Sequence, residues 1–324
     1  MTQELLYLSQ GDVISLGLTM PEIMDTVETA FREKGRGHVE MPPKPGIHTR
    51  TDAFIHAMPA YIRTTGAAGM KWIAGYPENA ERGLPYISGL LILNDPETGF
   101  PLAVMDAAWI TAMRTAAATA VAAKYMSRPG VKSLAILGCG VQGKSNTDAL
   151  QSALPTLDHI YAYDIRATAA ERFCQEMRAK HQVRCTSCAS PEEAVRAADV
   201  IVTAGPILQH PSPVIVPAWI RRGAFICTLD FDSYVTAEVF RSADLFATDD
   251  VEQLRYYQKV GYFNGVPSDA LDLGEVVAAG KPVRRSASDV IIAANLGLAL
   301  EDVALGHEVL MRAKARQIGT KLPL

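Results

Sequence analysis

The stretch Gly138-Cys139-Gly140-Val141-Gln142-Gly143 stands between a short apolar run, Leu134 to Leu137, and a segment of helix length. A second apolar run, Ile160 to Tyr163, then ends in Asp164. This spacing suits a dinucleotide. Gly138 permits a tight turn off a strand, Gly140 keeps a Cβ out of the path of a pyrophosphate, and Gly143 lets the next helix lie close on the strand. The helix N-terminus, with Val141 and Gln142 in its first turn, offers unpaired N–H groups and partial positive charge to phosphates. Asp164 lies where a carboxylate can accept hydrogen bonds from both hydroxyls of an adenosine ribose, which would repel a 2′-phosphate. The expected cofactor is therefore NAD, with NADP as the alternative because Arg166 offsets part of that repulsion.

These residues need elements to carry them. Residues 41–105 alternate polar and apolar side chains around turn-forming prolines, and the turn Asp95-Pro96-Glu97-Thr98-Gly99 joins two apolar runs into a hairpin. Before them, Thr19 to Gly37 reads as an amphipathic helix; after them, the alanine-rich Ala107 to Met126 reads as another. From Ser133 onward, strand and helix signals alternate through Asp244 to Ala247, the pattern of a doubly wound parallel sheet. Residues 286–316 read as one long or broken helix returning to the first domain. The fold class is α/β.

The chain has 324 residues, 48% hydrophobic and 20% charged, enough for two domains. A formal charge of -4 gives no reason to expect nucleic acid or an anionic membrane as partner. No apolar run is long enough to span a bilayer and the N-terminus lacks a signal pattern, so the expected location is cytoplasmic. Five cysteines, an odd count, fit a reducing compartment. Cys185 and Cys188 form a CxxC without further local ligands, so no metal is expected.

Several motifs occur in a fixed order: Met58-Pro59, Gly69-Met70-Lys71, Pro77-Glu78-Asn79, Gly83-Leu84-Pro85, Glu97 to Ala103, Thr111 to Ala117, the Gly138 fingerprint, and Leu298-Ala299-Leu300-Glu301-Asp302. Together they resemble the ornithine cyclodeaminase and mu-crystallin family over nearly the whole chain. The resemblance implies a Rossmann domain, residues 114–286, and a smaller α/β substrate-binding and dimerisation domain, residues 1–113 with 287–324. It also implies a homodimer, an active site in the cleft against the Rossmann domain, and hydride transfer between nicotinamide and the α-carbon of an amino or imino acid.

Residue by residue, the resemblance makes Lys71 a catalytic lysine that contacts the substrate carboxylate and assists proton transfer, and Arg114 the bidentate carboxylate ligand. Thr115 joins the cofactor-binding set. Asp232 matches an aspartate that polarises water or the substrate nitrogen. Asp230 stands where the family usually has glycine; in a strand the two carboxylates would share a face, and their repulsion would raise one pKa. Lys44 replaces the usual arginine. His56 occupies the place of the acidic residue that receives the distal ammonium of ornithine. With Lys44 and Arg50 nearby, a partly cationic pocket would favour a small or acidic imino acid, iminosuccinate first, reduced to aspartate. The expected function is an NAD(P)H-dependent imino acid reductase or amino acid dehydrogenase. The alternatives are an ammonia-releasing ornithine cyclodeaminase and a non-catalytic, crystallin-like dinucleotide binder.

Overall fold

The computed structural model of the chain describes residues 4–324. The chain divides into two compact units, Met1–Arg114 with Leu298–Leu324, and Thr115–Gly297.

The first unit opens with β1 (Glu4–Leu8), α1 (Gln10–Ser15) and α2 (Met20–Gly35). Both helices begin on a reciprocal cap. The Ser9 amide donates to Asp12 Oδ2 at 2.9 Å, and the Glu22 carboxylate accepts from the Thr19 amide and hydroxyl at 2.8 and 2.7 Å. Short β2 (Val39–Glu40) and β3 (Gly46–Ile47) precede the long meander β4 (Phe54–Ile62), β5 (Ala67–Gly75), β6 (Ile87–Asn94) and β7 (Pro101–Asp106). Then α3 (Ala108–Met126) begins, and the division between the units falls within it.

The second unit continues with β8 (Ser133–Leu137), α4 (Val141–Ala153), β9 (His159–Tyr163), α5 (Ala167–His181), β10 (Arg184–Ser187), α6 (Pro191–Arg196) and β11 (Val200–Thr203). It is completed by β12 (Phe225–Thr228), α7 (Ala237–Ser242), β13 (Leu245–Thr248), α8 (Val251–Lys259), β14 (Leu271–Asp272), α9 (Leu273–Ala279) and β15 (Ile291–Ala294). The chain then re-enters the first unit as α10 (Ala299–Arg316) and β16 (Thr320–Pro323).

In the first unit the sheet order is β16-β1-β7-β6-β5-β4-β2, with β3 also paired to β4. The β1–β7 pair is parallel and the other pairs are antiparallel. Helix α10 packs across β4, β5 and β6 and against α2. In the second unit the order is β10-β9-β8-β11-β12-β15-β13-β14, every pair parallel. The winding reverses between β8 and β11, and in such sheets ligands bind at the carboxyl ends of the strands beside that reversal.

Two readings of the sequence need correction. The segment 286–316 is not one helix: Ile291–Ala294 is a strand between β12 and β13, and the helix starts only at Ala299. The second division therefore lies between Gly297 and Leu298 rather than at 286/287. A strand buried on both faces has no polar alternation, so its apolar run cannot be told from a buried helix by pattern alone. The strands of the second unit accordingly run on past Leu245–Thr248 into β14 and β15.

Candidate active site

Lys71 lies in mid-strand on β5, opposite Met58 of β4 and Leu91 of β6, and Leu91 is opposite Met105 of β7. Directly paired residues in antiparallel strands share a face, so these four side chains form one buried row across the sheet. Helix α10 sits on that row. A Cβ on Gly306 would overlap the Leu91 side chain and lie 3.7 Å from Met105 Sδ. The absence of a side chain there lets the helix settle, and Asp302, one turn earlier on the same helix face, comes down beside Lys71.

The result is a four-membered charge cluster within the first unit. Lys71 Nζ lies 2.7 Å from Asp302 Oδ2 and donates to Thr111 Oγ1 at 3.2 Å. Arg114 Nε donates to Asp302 Oδ1 at 2.9 Å and Nη1 donates to Glu301 Oε2 at 2.7 Å. The Arg114 side chain is 6% exposed and the others at most 1%. Glu301 and Asp302 occupy the first turn of α10, where the helix dipole favours anions. Burial and the neighbouring guanidinium bring Lys71 down to about 7, with Asp302 opposing them. The two carboxylates beside Arg114 hold its pKa well above the ordinary value despite burial. Burial raises Glu301 against the pull of Arg114. A buried lysine that titrates near neutrality can give and take a proton.

His56 on β4 stacks on Phe54 with ring centroids 4.3 Å apart and meets His48 edge-on at 6.4 Å. Its partner in the β3–β4 ladder is Gly46, where a Cβ would overlap the imidazole. Burial, and after it the charge of Lys44, drive its pKa down to about 2. His56 is therefore neutral, and the positive charge near it belongs to buried Lys44 and Lys71. Arg50 is exposed and lies 3.4 Å from Glu78.

In the second unit, Gly138 follows β8 with φ +102, and a Cβ there would lie 2.5 Å from the Ala204 carbonyl oxygen. Only glycine fits that turn. A Cβ on Gly143 would overlap the Gly138 carbonyl, so α4 packs hard against the turn. On Gly140 a Cβ would meet nothing within 4 Å, which leaves open space at the N-terminus of α4 beside exposed Val141 and half-buried Gln142. These residues fit a pyrophosphate. Asp164 follows β9; its Oδ2 accepts from the Cys139 amide at 2.9 Å and its Oδ1 from the Arg166 amide at 3.0 Å. An ionised carboxylate has about four acceptor positions, so capacity remains for ribose hydroxyls. The exposed Arg166 guanidinium is 3.7 Å away. Thr115 is partly buried on α3, and its carbonyl accepts from Thr119 Oγ1 at 3.2 Å.

The two aspartates after β12 do not share a strand face. The strand ends at Thr228, and Phe231 between them has φ 61, so Asp230 and Asp232 diverge. Asp230 is fully buried, accepts from Thr203 Oγ1 at 2.5 Å and from the Gly205 amide at 2.8 Å, and is raised to about 7 mainly by burial. Repulsion from Asp232 contributes far less than burial. Asp230 thus braces the loop against which Gly138 turns. Asp232 takes the amides of Phe263 and Asn264, keeps a buried Oδ1 without a hydrogen bond, and is raised by burial. Of the CxxC pair, Cys185 faces Cys174 rather than Cys188.

Residues 4–317 match the ornithine cyclodeaminase/mu-crystallin family. The chain belongs to that family. It is 36% identical over 321 residues to the nodulation efficiency protein NfeD of Rhizobium meliloti, covering 97% of each chain. Its fold is similar to that of an archaeal alanine dehydrogenase dimer with bound NAD, with a TM-score of 0.88, 34% identity and coverage of 99% of this chain and 100% of the other. It is also similar to Delta(1)-pyrroline-2-carboxylate reductase of Thermococcus litoralis in complex with NADH and L-proline, with a TM-score of 0.87, 31% identity and coverage of 98% and 99%.

In this ornithine cyclodeaminase/mu-crystallin family member, the sequence marked Lys71 and Arg114 but gave no role to Glu301, Asp302 or Thr111. The available signal was two adjacent acids at the start of an otherwise apolar helix, Leu298 to Leu305, where burial would require cationic partners. None of the helices among the described residues is long and apolar enough to cross a membrane.

Proposed function

We propose that the protein is an NAD(H)-dependent reductase of small imino acids that also runs as an amino acid dehydrogenase, acting as a homodimer. The observation that carries this reading is the buried group Lys71, Asp302, Arg114 and Glu301 in a chain that also holds a glycine cradle fitted to a dinucleotide. Bound NADH would supply a hydride to the imino carbon.

The chain's own residues handle charge and protons. Arg114 spends Nε and Nη1 on Asp302 and Glu301, which fixes the plane of the guanidinium and leaves Nη2 to take a substrate carboxylate. Lys71, near 7, gives its proton in reduction and accepts one in oxidation. Asp232 keeps an unpartnered oxygen and is raised by burial, which suits a group that orients water or the substrate nitrogen. The two relatives of known structure, one named for alanine and one solved with L-proline, support this substrate class.

The charge inventory favours an acidic substrate. Lys44, Lys71 and Arg114 against Glu301 and Asp302, with His56 neutral, leave one positive charge among these six buried groups. A protonated imine with two carboxylates carries one negative charge and balances it; a monocarboxylic iminium is neutral, and protonated ornithine adds a further positive charge. Iminosuccinate, giving aspartate, is therefore placed ahead of the imine of pyruvate. The test is an NADH-oxidation screen of 2-oxo acids with ammonia or methylamine, with oxaloacetate, pyruvate and L-ornithine run under one set of conditions. Oxaloacetate with ammonia should give the highest kcat/KM. Ammonia release from ornithine without net NADH change would overturn the reading in favour of a cyclodeaminase.

A further inference from the structure

Lys71 and Arg114 are both tied to one carboxylate, that of Asp302. Asp302 meets the ammonium through Oδ2 at 2.7 Å and the guanidinium through Oδ1 at 2.9 Å, whereas Glu301 binds Arg114 through Oε2 and the Leu298 amide through Oε1. We infer that Asp302 is a positioning residue for the reductase, fixing the spacing of ammonium and guanidinium and supplying the anion that keeps Lys71 charged. The inference rests on the reading of Lys71 and Arg114 as the substrate-handling pair.

Asp302 is the anion in direct contact with Lys71. Thr111 and Arg114 face it from α3, Glu301 and Asp302 from α10, His56 from β4, and Lys44 acts on it through its charge. Of these six, Thr111 and His56 are neutral, and Lys44 and Arg114 are further cations. Of the two anions, Glu301 pairs with Arg114 Nη1, whereas Asp302 lies 2.7 Å from Lys71 Nζ. Burial and Arg114 disfavour the ammonium, and Asp302 is the contact that opposes them. Its place is set by the seating of α10 at Gly306, so the helix and not a flexible loop fixes the distance.

The test follows Lys71 itself. In full-length protein carrying isotope-labelled lysine, the Lys71 side-chain resonance, identified by its loss in Lys71→Arg, should titrate near 7 in the wild type. Asp302→Asn should move that midpoint down by about one pH unit or more, and should move the pH dependence of kcat/KM with it. Glu301→Gln should move the midpoint by less than about half a unit and act mainly on KM. Asp302→Glu keeps the anion but lengthens it; the midpoint should stay within about half a unit while KM for the imino acid rises about tenfold. That variant carries the test if the asparagine variant does not fold. An unmoved midpoint in folded Asp302→Asn, or an unchanged KM in Asp302→Glu, overturns the inference. If the midpoint moves and kcat/KM does not follow, the role of Lys71 in turnover falls while the control of its charge by Asp302 stands.

Discussion

At Lys71 the balance of burial against one anion sets a working range of pH. On the proposed role of Lys71 as proton donor in reduction, kcat/KM for reduction should fall as pH rises through about 7, and that for oxidation of the amino acid should rise over the same interval. Lys71→Arg cannot titrate there and should lose both limbs. Arg114→Ala would leave Glu301 a buried anion without its cation and Asp302 with Lys71 alone, at a cost of about 3–5 kcal/mol in stability as well as activity, while Arg114→Lys should retain most of the stability and lose the fork. Thermal melts beside kcat/KM separate the two effects. If Asp164 selects the cofactor, the wild type should prefer NADH, and Asp164→Ser should narrow the NADH/NADPH ratio of kcat/KM by about tenfold, roughly 1.4 kcal/mol. An undiminished ratio would remove Asp164 from that role. Lys71, Arg114 and the glycine cradle were legible because motif and residue type coincide. The acids that hold the two cations were not, because contacts between residues 71, 114 and 302 are products of tertiary packing and leave no local pattern.

Among the elements, α10 shows how much position depends on one missing side chain. Gly306→Leu would drive a branched group into Leu91 on the sheet, costing about 1–3 kcal/mol by overpacking, and would lift Asp302 from Lys71. The expected result is a lowered Tm together with a downward shift of the Lys71 midpoint; a lowered Tm alone would mean that α10 yields without moving its first turn. The alternating strands of the meander and the βα repeats were readable from period and turn chemistry. Strand β15 was not, since Val290-Ile291-Ile292-Ala293-Ala294 is apolar throughout and carries no period. The Asp230–Asp232 turn was misread for a related reason: a left-handed Phe231 is held by an aromatic cluster with Tyr257, Tyr262 and Phe263 that lies far along the chain.

Taken as a whole, the chain is one continuous unit, Thr115–Gly297, inserted in another made from both ends. Truncation after Gly297 would remove α10 and β16 together, leaving Lys71 and Arg114 without their anions and the sheet without its cover. Such a protein should keep NADH binding, measured by fluorescence titration, and lose the thermal transition of the first unit along with all turnover. Loss of NADH binding would show that the inserted unit depends on its host. The same layout has a consequence for biosynthesis. Both cations lie within residues 1–114, and the carboxylates that neutralise them, Glu301 and Asp302, are made almost two hundred residues later. At a typical pace of about 5–20 residues per second, the ribosome separates them by roughly ten to forty seconds. Throughout that delay the nascent meander has its ladders but no counter-ions for Lys71 and Arg114, so a chaperone that shields the uncovered sheet face would be needed early in translation and dispensable after release.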